Sequence, residues 1–241
     1  MGSRHVTVRV IVAQVLLCLV CSACTQGKPA ALTSEEIKAE TARNVRVDCA
    51  PLAMHKNYFG VRDLLPSVEK DPNFEAYTLW FFHCFADMRM EDQSSDDTAG
   101  AATVRVKVKS VQLRLSCPIN IWMEKRAPQL TREHEDGHVY ICRKVYEMAP
   151  AVARLAGADV LGKSYNGMGA NLAQARKMAL QQAEADIASV YQAKIVDLCD
   201  EISQLYDDQC QKAMRIDSKT SQHSIAENSF QQIVGSKVYI Y

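Results

Sequence analysis

His134 and His138 stand four residues apart in a segment, Gln129 to Met148, whose pattern reads as one helix. At 3.6 residues per turn their side chains lie about 40° apart on one face, so both imidazoles can reach one ion at the ~2.0–2.1 Å usual for zinc–nitrogen bonds. Glu135 sits about 100° further round the helix from His134, beside such an ion rather than on it. There a carboxylate can take a proton from zinc-bound water and return it to a leaving amine. The expected chemistry is hydrolysis of a peptide or protein substrate, with Zn2+ as cofactor, His134 and His138 as ligands and Glu135 as general base.

A catalytic zinc needs a third protein ligand and one open position. His223 is the expected ligand, because a histidine from a separate segment would tie the C-terminal tail to the motif helix. Glu184, which interrupts an Ala-rich stretch, is the second candidate. A longer signature with a third His soon after the motif is absent, since no His lies between His138 and His223. His83, flanked by Tyr77, Leu79, Phe81 and Phe85 at strand spacing, reads as a hydrogen-bonded core or edge histidine, and His55 reads as a loop residue. Gly137 stands mid-helix, where glycine costs ~1 kcal/mol relative to Ala. A close approach by a strand or a substrate would account for it.

His134-Glu135-x-Gly137-His138 resembles the motif of a bacterial family described as predicted secreted zinc-dependent proteases, or domain of unknown function 922. Asn57-Tyr58-Phe59-Gly60-Val61 looks like that family's early Tyr-containing strand. Val104 to Leu115, with Pro118 and Trp122, looks like the strand and connection before the motif. Thr220-Ser221-Gln222-His223, shortly after Asp217, resembles the tail segment, with Ser224 where the family has Gly. The resemblance spans residues 45 to 233 and implies an exported metalloprotease with a strand-rich first half and a second long helix.

The elements that must position these residues can be read from periodicity. Asn44 to Asp48 alternates like a strand, Asn57 to Val61 reads as another, and Leu64 to Val68 as a turn or short helix. Tyr77 to Ala86 and Val104 to Cys117 read as an antiparallel hairpin, with Glu91 to Gly100 as its loop. The apolar phase slips by one at Lys109-Ser110, which predicts a bulge. Pro150 should end or kink the motif helix, and Gly157 to Gly169 should be a loop. From Ala170 to Val234 there is neither Gly nor Pro, and Ile187, Tyr191, Ile195, Leu198, Ile202 and Leu205 mark one buried stripe. A single helix over 170–214 would be about 68 Å long, so a break or a protruding arm is expected. The fold class is α+β: a small antiparallel sheet, a zincin-like motif helix and a long C-terminal helix, in one domain over 44–241.

Composition bounds the rest. Lys+Arg and Asp+Glu both number 28, so no charge excess points to nucleic acid as a partner. Arg4 and Arg9, the apolar run Val10 to Val20 and the small exit Ser22-Ala23 read as an export signal over 1–23. Residues 24–43 then form a tether and a short helix capped by Ser34. Ser22-Ala23-Cys24 also fits a lipoprotein signal, which would place the chain in the periplasm or on the outer membrane by a lipid anchor at Cys24; free secretion is the alternative. Cleavage with lipidation leaves Cys49, Cys84, Cys117, Cys142, Cys199 and Cys210, an even set suited to disulfides. Cys199 and Cys210 on one unbroken helix stand about 16 Å apart and cannot bridge each other, so Cys142 becomes a candidate partner. The competing functional reading is a non-catalytic envelope lipoprotein with a structural metal site or a partner-binding helical arm.

Overall fold

The computed structural model describes residues 41, 43–60, 75–98, 100–216 and 219–236. The export signal, Cys24, the Ser34 helix start and the Leu64–Val68 segment lie outside the described residues. No described helix is long and apolar enough to cross a membrane.

Six strands come first: β1 (Val45–Cys49), β2 (Ala53–Phe59), β3 (Ala76–Trp80), β4 (His83–Thr98), β5 (Ala101–Ser116) and β6 (Pro118–Glu124). They form two small sheets, β1-β5-β4 and β2-β6-β3, with the same three stretches of chain in the same order. The middle ply is β5 running into β6 through buried Cys117. It pairs in parallel with β1 and β2 and antiparallel with β4 and β3, so each sheet is mixed rather than purely antiparallel. Ala50 to Leu52 and Phe81-Phe82 break the two outer plies at the level of Cys117, which divides one ribbon into two sheets.

β4 and β5 form the expected antiparallel hairpin from His83 onward, but Tyr77 to Trp80, expected in the same strand, is β3 and pairs with β6 in the other sheet. The hairpin register slips where Arg89 faces Ser110 and Met90 faces Val108, leaving Lys109 bulged out. The expected loop over Glu91 to Gly100 is not one: β4 continues to Thr98, because its backbone pairs with β5 although its side chains are polar. On either side of the Lys109 bulge β5 alternates, with Val104, Val106 and Val108 buried before it and Val111, Leu113 and Leu115 after it.

Helix α1 (Gln129–Val160) packs its apolar stripe on these sheets and continues through Pro150. Proline in a helix interior costs ~3 kcal/mol. Val152 and Val160, buried beyond it, contribute about 3–6 kcal/mol by the usual burial values, so packing wins over the break that the sequence suggests. The stretch expected to be a loop contains β7 (Ser164–Gly169), antiparallel to the first half of β5. Its glycines misled the reading: a Cβ on Gly167 would meet the Ala175 carbonyl oxygen at 1.8 Å, so glycine is there to let the next helix lie close.

That helix, α2 (Leu172–Tyr191), is capped by the Asn171 side chain, which accepts from the Gln174 N–H at 2.9 Å. A π-helical turn, Gln192–Val196, then leads into α3 (Asp197–Arg215). The expected break is thus a bulge, not a loop. The buried stripe runs through Ile187, Tyr191, Ile195, Leu198 and Ile202 and continues with Tyr206, while Leu205 is half-buried. Helix α4 (Gln222–Ser236) closes against α1 and α3. The fold is α+β.

Candidate metal centre

α1 and α3 run antiparallel along one seam. On α1 the facing row is His134, His138 and Cys142; on α3 it is Asp207, Ser203 and Cys199. Each row repeats every four residues, the spacing that keeps side chains in line on a helix. Asp207 Oδ1 stands 3.1 Å from Nε2 of His134 and 3.1 Å from Nε2 of His138. The two imidazoles have centroids 4.9 Å apart and planes at 87°. Two ligand atoms each ~2.0–2.1 Å from a tetrahedral ion stand about 3.3–3.4 Å apart. The observed separations are within a few tenths of an ångström of that, and the three residues form a group able to hold a metal ion.

The side chain of His134 is 21% exposed, against 5% for His138 and 3% for Asp207. The cluster therefore meets solvent on the His134 side and is sealed on the other. Burial works against a charged His134 ring. The hydrogen bonds to Asp207 and Cys210 and the nearby Glu135 charge overcome it, and hold the imidazole pKa up at about 10. The electrostatics of this pocket favour a cation.

Glu135 is buried at 5% exposure and accepts a 2.6 Å hydrogen bond from Thr78 Oγ1 on β3. On the same face of that strand, Trp80 stacks on His138 with centroids 5.8 Å apart and donates from Nε1 to Asp200 at 3.1 Å. Strand β3 thus steadies both the carboxylate and the second imidazole. On the other side of α1, Lys56 from β2 pairs with Asp136 at 3.4 Å.

Tyr206 explains Gly137. Its ring stacks on His134 (centroids 5.0 Å, 19°) and its hydroxyl donates to the His134 carbonyl or to Gln222 Oε1, 3.0 and 3.1 Å away. A Cβ at position 137 would lie 2.2 Å from that hydroxyl. The close neighbour foreseen for Gly137 is therefore a tyrosine from α3, not a strand or a substrate.

The expected third ligand is corrected. His223 does not reach the pair: it lies exposed against Tyr140, with ring centroids 4.7 Å apart. Adjacent helical residues point about 100° apart, and on α4 it is Gln222 that faces inward. Gln222 accepts from Cys210 Sγ at 2.8 Å and is the residue that ties the tail to the motif helix, through Tyr206. Glu184 is also elsewhere, near Asp87 of β4, where burial and that aspartate raise its pKa. His83 stacks between Phe81 and Phe85 on edge strand β4. His55 lies on β2 rather than in a loop.

Asp207 was missed because it falls outside the apolar stripe read from the sequence, two positions past Leu205. Its signal was there, in the Cys199, Ser203, Asp207 line of small and polar residues along an otherwise apolar face.

Comparison of the chain with protein-family models, with curated proteins and with solved structures finds no match.

Proposed function

We propose that this chain is a zinc-dependent metallopeptidase in which His134, His138 and Asp207 hold the metal and Glu135 is the general base. The observation that carries the reading is the meeting of three ligand atoms from two helices, with a carboxylate fixed next to them. The donor set of two imidazoles and one carboxylate suits zinc and leaves a position for water or substrate. Zinc, when bound, supplies Lewis acidity, which polarises a carbonyl and brings the pKa of water down to about 7.

The remaining work falls to the chain's own groups. Glu135 accepts the proton of the attacking water and passes it to the departing amine. Thr78, donating to Oε2, leaves the second carboxylate oxygen to handle that proton. Trp80 keeps the His138 ring in place and covers the site from the β3 side. Tyr206 supports the His134 ring from beneath. The resemblance of the His134–His138 segment to predicted secreted zinc proteases supports the same reading, as does the export signal read from the sequence.

Burial of His138 and Asp207 favours one competitor, a structural metal clasp between α1 and α3 with no turnover. Glu135→Gln separates the two. In a metallopeptidase it keeps the metal and abolishes cleavage of an unfolded protein substrate; equal hydrolysis by wild type and variant removes Glu135 from the mechanism.

A further inference from the structure

The seam that carries the candidate ligands carries a second pair of groups one helical turn away. Cys142 of α1 and Cys199 of α3 have their sulfurs 3.7 Å apart, and both residues are fully buried. We propose that Cys142 and Cys199 are a disulfide-forming pair that covalently joins the motif helix to the helix bearing Asp207. The pairing stands whether or not the site holds metal. Two other cysteines are poor competitors for it. Cys210 lies on the same unbroken α3 as Cys199, too far along it to bridge, and turns instead to Gln222. Cys49 is exposed on β1, outside the seam.

The step needs a disulfide oxidant, such as oxidised glutathione or an oxidoreductase disulfide. One protein thiolate attacks a sulfur of the oxidant, expelling a thiolate and leaving a mixed disulfide; the second protein thiolate then attacks the protein sulfur and expels the other. Two protons and two electrons leave the pair, and the oxidant ends as two thiols. Burial and the neighbouring Cys199 push the Cys142 thiol up, so the exchange runs before the helices dock or when they part. Once formed, the bond is shielded from reductants by the same packing.

The test is a thiol map of the full chain, refolded with oxidised and reduced glutathione, denatured and alkylated without reductant, then digested for mass spectrometry. The expected result is a peptide pair joined through Cys142 and Cys199, with a melting temperature that falls by roughly 10 °C on reduction. Recovery of both residues as alkylated thiols, or of either joined to Cys117, overturns the proposal. The Cys142→Ala/Cys199→Ala variant should show no such dependence on reductant; an undiminished dependence would assign it to other cysteines and also overturn the pairing. Should that variant fail to fold, the wild-type map still decides.

Discussion

The hydroxyl of Tyr206, on α3, fills the space that any side chain at Gly137, on α1, would need. The ring carbon that bears it is only 2.5 Å from the same point, so a rotated hydroxyl cannot relieve the contact. Alanine is the better helix former by ~1 kcal/mol, yet overpacking costs about 1–3 kcal/mol and displaces a hydroxyl bonded to His134 and Gln222. Gly137→Ala is therefore expected to destabilise the fold by about 2 kcal/mol in urea unfolding and to weaken metal uptake. In a Tyr206→Ala background the same substitution should be neutral or stabilising. A Gly137→Ala protein as stable as wild type would show that the two helices do not meet this closely.

Thr78 offers a test of the base without touching it. Thr78→Val keeps the shape of the side chain and removes the donor to Glu135 Oε2. Metal content should be unchanged, while kcat/KM falls on the order of tenfold as the carboxylate loses the hydrogen bond that orients it. An unaltered kcat/KM would mean that the hydroxyl does not position the base.

Much of this arrangement was readable before the structure. The four-residue spacing of His134 and His138 put both rings on one face, and the phase slip at Lys109 located the bulge in β5. What escaped were features decided by neighbours rather than by local pattern. Pro150 signals a helix end, but the apolar stripe on both sides of it keeps α1 intact. Gly167 signals a loop, whereas it lies in a strand pressed against Ala175. His223 was a chemically sensible ligand on the wrong side of its helix, and Asp207 an ordinary-looking acid among Asp and Gln residues. Asp207 lies in line with Cys199 and Ser203 at four-residue steps, a polar row that an apolar-stripe count passes over.

The cysteines outside the α1–α3 seam should differ in reactivity in the folded protein. Burial pushes the Cys84 thiol up to about 11 and the Cys117 thiol up to about 12, helped at Cys117 by neighbouring thiols. Cys49 is exposed. With iodoacetamide at pH 8, Cys49 should be modified first and Cys84 on the order of 100-fold more slowly, the lag shrinking as pH rises towards the Cys84 pKa. Modification of Cys84 as fast as Cys49 at pH 8 would contradict its half-buried position beside β5.

The central claim is that Asp207 completes a metal site with His134 and His138. Metal analysis of wild type, Asp207→Ala and His223→Ala, each equilibrated with zinc and then desalted, tests it most directly. About one zinc per chain is expected in wild type and in His223→Ala, with loss in Asp207→Ala. A metal-free wild type, or a site lost with His223 and kept without Asp207, would contradict the account.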